Sequence, residues 1–243
     1  LPAGPVAFAI GAEYRVEKAE SEWDELTASG GTFLNSIAPF DPPDLKVAEF
    51  FGEVRVPILA DMPFADELTV EGAYRYSDYN TETDTVDAYN LGLIWAPIQD
   101  LRLRANYSTS VRAPTQSDLY TAQGQNFAQI QDPCDILYIN TNPNRAANCA
   151  AAGIPTGFIN QEARTATIGF ATGGNPTLIE EEGTSYTYGF VLMPQALPGF
   201  AFAVDYYDIE VESLIATLGA QTILNECYNA PGGIGNPFCA TVN

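Results

Sequence analysis

The side chains that could carry chemistry in this sequence are arginines, carboxylates and cysteines, because histidine is absent. Without histidine, Ser-His-Asp and Cys-His catalysis are excluded, and the commonest zinc ligand is missing. Six arginines lie in segments that alternate apolar and polar residues: Arg15, Arg55, Arg75, Arg102, Arg104 and Arg112. Guanidinium groups in such rows either contact an anionic ligand or pair with carboxylates, and the sequence leaves both options open.

Carboxylates dominate the charge of the chain. With 31 acidic and 10 basic residues, the net charge is −21, which repels nucleic acid. Glu180, Glu181 and Glu182, or Asp41 and Asp44, could hold a hard cation, but neither group has a known calcium-loop spacing. Nothing places two carboxylates across a cleft, as a glycosidase requires. We therefore predict no enzyme, with no catalytic residue, no metal and no cofactor.

The four cysteines form two sequence-local pairs, Cys134 with Cys149 and Cys227 with Cys239. Neither pair has the CxxC spacing of zinc or redox sites. We predict two loop-closing disulfides in an oxidising compartment, since the other two connectivities would tie distant loops together.

The elements that must position these side chains are strands. Strict alternation predicts seven of them, at about 6–17, 46–58, 67–79, 85–96, 100–112, 183–193 and 199–212. In the fifth, Arg102 and Arg104 share a polar face, while Leu101, Leu103 and Tyr107 share the apolar face. This pattern is typical of a transmembrane β-barrel, in which lipid contacts the apolar face and water fills the lumen.

The connections between the predicted strands alternate in length. Turns at 58–66, 97–100 and 194–199 are short. Of the four alternate connections, three are long, at about 18–45, 113–182 and 213–243, and the fourth is a tight turn at Asn80–Asp84. Short periplasmic turns and long extracellular loops are typical of bacterial outer-membrane barrels. We therefore predict an all-β fold, with residues 1–243 forming part of an antiparallel transmembrane barrel of about seven meander strands.

Aromatic residues follow the same geometry. Tyrosines come late in strands that run toward the long loops and early in strands that return: Tyr14, Tyr74, Tyr76, Tyr107 and Tyr206, then Tyr89, Tyr186 and Tyr188. All of them reach one level, as an interfacial girdle requires, and Trp95 and Phe200 reach the opposite level.

Two stretches resemble a known family. Residues 106–120, NYSTSVRAPTQSDLY, look like the strand ending in Arg-Ala-Pro in the barrel of TonB-dependent outer-membrane receptors. The stretch Gly174-Asn-Pro-Thr-Leu178, which leads into the strand at 183–193, resembles that family's Gly-Asn-Pro-x-Leu element. The family usually continues with Pro-Glu, whereas this chain has Ile179-Glu180. The loop between Cys134 and Cys149 resembles that of an alphaproteobacterial branch.

The resemblance implies energised import of a scarce nutrient across the outer membrane: an iron–siderophore, cobalamin or an oligosaccharide. The plug domain through which such receptors contact TonB is missing from this chain, and seven strands cannot close a barrel of about 22. We therefore expect a fragment, with outer-membrane lipid and a small-molecule or oligosaccharide ligand as partners. Candidate ligand-facing residues are lumenal Arg75, Arg102, Arg104 and Arg112 and the loop aromatics Phe127, Tyr138 and Phe158.

One alternative remains open on the sequence alone. A secreted, disulfide-stapled β-sandwich or adhesin-like binding module would also show alternating strands and paired cysteines. In a sandwich, however, the leucines and tyrosines would pack against a second sheet in a dry interior.

Overall fold

A computed structural model describes residues 1–32 and 36–242 of the chain. Two compact units form. The sheet unit consists of Leu1–Glu22, Pro39–Thr121 and Gly174–Ile215, and the loop unit consists of Trp23–Ala38, Ala122–Gly173 and Ala216–Asn243. Residues 33–35, within the predicted loop 18–45, and residue 243 lie outside the described residues.

The sheet unit contains one seven-stranded antiparallel sheet. Its strands are β1 (Ala7–Glu17), β2 (Leu45–Met62), β3 (Ala65–Tyr79), β4 (Thr85–Ile98), β5 (Leu101–Arg112), β8 (Glu181–Leu192) and β9 (Phe202–Glu212), paired in that order. The sheet is open in this chain, with β1 and β9 at its edges. All seven predicted strands are therefore confirmed as a meander, with shifted ends.

The largest shift is at the end of β2, which the sequence places near residue 58 and the structure at Met62. Pro57 does not end the strand, because the register with β3 shifts between Pro57 and Leu59. Such a bulge accommodates a residue that lacks an N–H donor. The turn that follows has Phe64 at φ 63°, and the Phe64 carbonyl accepts a hydrogen bond from Trp95 Nε1 at 2.9 Å.

One side of the sheet, the apolar face, carries large hydrophobic side chains that protein atoms leave largely uncovered. Phe8 is 74% exposed, Ile10 72% and Leu91 58%. Among the described residues, the other sheet is a pair of short antiparallel strands in the loop unit. The sandwich alternative is therefore wrong, because it requires a second sheet packed on these side chains.

Tyrosines lie together toward one end of the apolar face. The strand register pairs Tyr74 with Tyr89, Tyr107 with Tyr186, and Tyr188 with Tyr206. Ring centroids of Tyr107 and Tyr186 are 4.7 Å apart, and those of Tyr188 and Tyr206 are 4.9 Å apart.

Acidic residues follow the tyrosines toward the long-loop end of the strands. Asp87 accepts a hydrogen bond from the Tyr74 hydroxyl, and Asp208 pairs with Tyr186 in the register. A change from aromatic to acidic side chains along one face indicates the level at which a membrane interface ends.

The long segments contain secondary structure that alternation does not reveal. The loop unit contains helices α1 (Glu25–Ala28), α3 (Arg145–Ala151), α4 (Gln161–Thr165) and α5 (Ala220–Asn229) and a 3-10 turn at Cys239–Thr241. It also contains the antiparallel strand pair β6 (Gly124–Ala128) and β7 (Ile168–Thr172). Helix α2 (Gln116–Tyr120) lies in the sheet unit.

The loop unit has a small core built on its disulfides. Both predicted pairs, Cys134–Cys149 and Cys227–Cys239, are present. Cys134, Cys149, Cys227 and Tyr228 are buried in one cluster, against which Phe158 and other apolar side chains pack. Covalent cross-links of this kind stabilise a unit whose hydrophobic core is small.

Candidate functional site

The polar face of the sheet, opposite the apolar face, is an ion-pair network. Every arginine on its strands contacts at least one carboxylate within 4 Å. Each of these guanidinium groups has an internal carboxylate partner, and ligand contact by Arg75, Arg102, Arg104 and Arg112 stays a prediction. Guanidinium groups in this arrangement hold neighbouring strands together while keeping charge away from the apolar face.

The most direct of these pairs spans three strands. Arg104 Nε lies 2.8 Å from Asp205 Oδ1, and Arg104 Nη2 lies 2.5 Å from Asp205 Oδ2. Gly189 of β8 is the register partner of both residues. A Cβ at Gly189 would overlap the Asp205 carboxylate and the Val204 carbonyl oxygen. Glycine is therefore required at this close approach between strands.

A second group centres on Glu49, whose side chain is only 5% exposed. It lies 3.7 Å from Arg15 Nη1 and 3.6 Å from Arg75 Nη1, and it accepts a 2.7 Å hydrogen bond from Ser77 Oγ. The Arg75 guanidinium also lies over the Phe51 ring, 5.0 Å from its centroid. Burial of the carboxylate is compensated because two cations and a hydroxyl surround it.

A third group joins the strand arginines to the segment after β5. Arg112 donates to Glu181 Oε1 at 2.8 Å and to Asp118 Oδ2 at 3.0 Å. Asp118 also caps α2, accepting from the Thr115 N–H and hydroxyl. Burial raises the pKa of Asp118, but the Thr115 hydrogen bonds and the Arg112 charge outweigh it and leave the pKa below its ordinary value.

The two family-like stretches meet at this group. The Asn175 N–H donates to the Asp118 carbonyl, and the Gly174 N–H donates to the Thr121 carbonyl, each at 2.8 Å. A Cβ at Gly174 would lie 2.6 Å from the Leu119 carbonyl carbon. The Arg-Ala-Pro and Gly-Asn-Pro motifs are thus two halves of one structural joint between β5 and β8.

In the loop unit, the two arginines have internal partners. Arg145 is buried and donates to the Tyr138 carbonyl, to Thr141 Oγ1, and to the side chains of Asn225 and Asn229. Burial lowers the pKa of Arg145. Arg164 makes a two-point contact with the buried Asp135 carboxylate, at 2.9 and 2.5 Å.

Asp135 organises the segment between the first cysteine pair and α4. Besides Arg164, it accepts from the Leu137 and Asn160 backbone N–H groups, each at 2.9 Å. The Arg164 hydrogen bonds are the largest influence, and together with the two N–H donors they overcome the effect of burial. They lower the pKa of Asp135 to about 2.

A cleft of about 990 Å³ opens within the loop unit. Residues from the paired strands β6 and β7 and from α5 line it, together with Asp132 and Phe158. Of the three predicted loop aromatics, Phe158 lies in this lining, whereas Phe127 and Tyr138 do not. Sequence reasoning missed Tyr228 and Asp132, which line the cleft and lie within two residues of a cysteine; that proximity was the available signal.

Helices and metal ligands give no further site in the described part of the chain. None of its helices is long and apolar enough to cross a membrane. No three metal-ligating side chains come together within residues 1–32 and 36–242.

An antiparallel meander with an uncovered apolar face, a tyrosine belt and a charged opposite face is the wall of a transmembrane β-barrel. A family model described as TonB-dependent receptor-like β-barrel matches residues 3–238. The chain therefore belongs to the TonB-dependent receptor β-barrel family, whose members are outer-membrane receptors and transporters and not enzymes.

Two solved structures share the fold. One is a mutant ferric enterobactin receptor from Pseudomonas aeruginosa in complex with enterobactin, 12% identical, with a TM-score of 0.55. The other is the siderophore receptor PirA from Acinetobacter baumannii, 11% identical, with a TM-score of 0.55. Each similarity covers 85% of this chain but only 24% of the other. A search of curated proteins finds no match.

Proposed function

We propose that this chain is part of the barrel of a TonB-dependent transporter that imports a scarce nutrient: an iron–siderophore, cobalamin or an oligosaccharide. The observation that carries the proposal is the uncovered apolar face, with Leu91 58% exposed, opposite an ion-paired polar face. A soluble domain rarely leaves so continuous an apolar surface uncovered, whereas outer-membrane lipid covers it in a barrel wall.

In this proposal residues 1–243 form one stretch of barrel. The connections about 18–45, 113–182 and 213–243 all leave the strands at the end opposite the short turns, and we assign that end to the cell exterior. Energy reaches the transporter from the TonB complex through a plug domain. In this proposal, residues of the long connections and of the polar face contact the ligand.

The predicted ligand-facing residues divide into two groups under this proposal. The guanidinium groups of Arg75, Arg102, Arg104 and Arg112 are each about half exposed but paired with carboxylates. Their pairing supports a role in holding the wall together. Phe158 lines the loop-unit cleft, which supports a role in ligand contact, and Phe127 and Tyr138 lie elsewhere in the same unit.

The test is an uptake experiment in the native organism with the whole receptor. A deletion strain and its parent are grown on limiting iron and on limiting carbon, and uptake of the labelled nutrient is measured with and without a protonophore. We expect a growth defect on one of the two media and uptake that stops when the proton gradient is dissipated. Normal growth and uptake in the deletion strain under both limitations would contradict the proposal.

A further inference from the structure

The residues that line the loop-unit cleft favour one of the three nutrient classes over the others. Its lining includes apolar side chains such as Phe158, Phe170 and Leu224. Its volume of about 990 Å³ is at the upper end of the range for ligand pockets, about 300–1,000 Å³. The cleft is therefore large enough for a ligand with several rings.

Charge in the loop unit disfavours an anion. No lysine or arginine is among the described residues that line the cleft, and the lining contains one carboxylate, Asp132. The unit's two arginines, Arg145 and Arg164, are committed to internal partners. Its carboxylates are Asp24, Glu25, Asp132, Asp135, Glu162 and Glu226. An anionic ligand would lose its hydration here without gaining a cationic partner.

One polar group in the cleft lacks a partner. Tyr228 lines it and is only 8% exposed, yet its hydroxyl makes no hydrogen bond to any described residue. Burial raises the pKa of Tyr228, and the nearby Asp132 carboxylate raises it further. The ring is largely covered, but the hydroxyl itself keeps contact with solvent. It can therefore donate to or accept from a ligand that enters the cleft.

Two amides add further capacity for hydrogen bonding. Gln123 and Gln125 line the cleft, and neither side chain makes a hydrogen bond within the described part of the chain. Each amide offers two donor hydrogens and one acceptor oxygen. Asp132, in contrast, already accepts from the Cys134 N–H at 2.8 Å and from Asn160 Nδ2 at 2.6 Å.

We propose that this cleft binds a neutral saccharide and not an anionic metal chelate. The inference rests on the proposed import function and names its substrate class. A sugar ring presents an apolar C–H face, which suits Phe158, and a rim of hydroxyls that both donate and accept, which suits Tyr228, Gln123 and Gln125. Neutral hydroxyls leave no charge uncompensated in a site without cations.

The experiment uses the whole receptor, purified in detergent. It is probed with an array of neutral di- to hexasaccharides, followed by calorimetry with the best binder, and in parallel with a ferric tris-catecholate chelate. Two variants test the cleft, Tyr228→Phe and Gln125→Leu. Tyr120→Phe is the matched control, because it removes the same atom from a half-buried tyrosine of the sheet unit.

We expect a neutral saccharide to bind with a Kd below about 1 mM, with affinity about tenfold weaker in Tyr228→Phe and unchanged in Tyr120→Phe. We also expect loss of binding in Gln125→Leu. Because Gln125 is an exposed residue of β6, misfolding would not explain that loss. The inference is overturned if no saccharide binds, if the chelate binds instead, or if Tyr228→Phe and Tyr120→Phe behave alike.

The failure of this inference is distinguishable from failure of the import proposal. Protonophore-sensitive uptake that persists while no saccharide binds the receptor would overturn the saccharide assignment alone. Absence of any receptor-dependent uptake would overturn the import proposal as well.

Discussion

Arg104 on β5 and Asp205 on β9 form a two-point ion pair across the intervening strand β8, with contacts of 2.8 and 2.5 Å. The pair exists because Gly189 of β8 has no side chain between them. Three neighbouring strands are thereby joined on the polar face by one contact.

Gly189→Ala tests this joint. The added methyl group overlaps both the Asp205 carboxylate and the Val204 backbone oxygen, and backbone cannot move aside cheaply. We expect a loss of about 1–3 kcal/mol in the stability of the barrel. The measurement is the fraction of whole receptor that migrates as folded barrel on unboiled SDS gels after a urea titration.

Gly72→Ala is the control for that variant. Gly72 lies on β3 in the same sheet, but its added Cβ meets Val54 at an ordinary 3.7 Å. If the two alanine variants unfold at the same urea concentration, the absence of a side chain at Gly189 is not required for stability.

Arg112 is predicted to hold the joint between the two motifs. Arg112→Gln removes the cationic partner of Glu181, whose side chain is only 12% exposed, and the ion pair with Asp118. We expect faster amide hydrogen exchange at residues 113–121 and 174–183. Arg55→Gln is the matched control, because of its two partners Glu67 keeps Arg102 at 2.9 Å and Glu71 is exposed to solvent. Unchanged exchange in Arg112→Gln would contradict a structural role.

The Cys134–Cys149 disulfide is predicted to stabilise the loop unit and not the barrel wall. A cross-link that closes a loop of this length, with a sequence separation of 15, contributes about 3 kcal/mol. In the double variant Cys134→Ser/Cys149→Ser, we expect protease cleavage within residues 122–173 while the heat-modifiable barrel persists. Cleavage at the wild-type rate would contradict this expectation.

The Asp135–Arg164 pair predicts a specific pH dependence. Because the pKa of Asp135 falls to about 2 in the folded unit, from an ordinary value of about 3.9, its contribution is fully present above pH 4. That contribution is lost as the pH falls from about 4 to 2. We expect protease resistance of the loop unit to decline across this interval.

Asp135→Asn separates this pair from general acid effects. The variant removes the charge that compensates Arg164 and should cost about 2–3 kcal/mol at neutral pH. Its protease resistance should depend less steeply on pH between about 4 and 2. Glu162→Gln, an exposed position on α4, is the control. If protease resistance declines with falling pH as steeply in Asp135→Asn as in the wild type, then groups other than Asp135 cause the decline.

The alternation of apolar and polar residues identified the strands of the sheet, because the two faces of the sheet lie in different environments and successive side chains point to opposite faces. Leu91 and Leu93 had to face one way and Asn90 and Gly92 the other, so all seven strands were readable from local sequence. The end of β2 was placed near residue 58 and not at Met62, since the register with β3 decides the bulge between Pro57 and Leu59 and the local sequence does not show that register.

The contacts of the candidate site residues were less predictable, because their partners are far away in the sequence. Whether Arg104 contacts a ligand or a carboxylate depends on Asp205, which is 101 residues away in the sequence. The cleft likewise combines β6, β7 and α5, which no periodic signal connects. Only the cysteines marked that region in advance, and Tyr228 was missed although it is adjacent to Cys227.

The central claim is that the apolar face of the sheet contacts lipid. Nitroxide labels placed one at a time at residues 88–95 of β4, in the whole receptor in bilayers, measure it directly through collision with oxygen and with a water-soluble nickel chelate. We predict that oxygen accessibility peaks at Tyr89, Leu91 and Leu93 and is low at Asn90 and Gly92, where the nickel chelate has better access. Nickel accessibility that is highest at Leu91 and Leu93, or that lacks a period of two, would contradict the account.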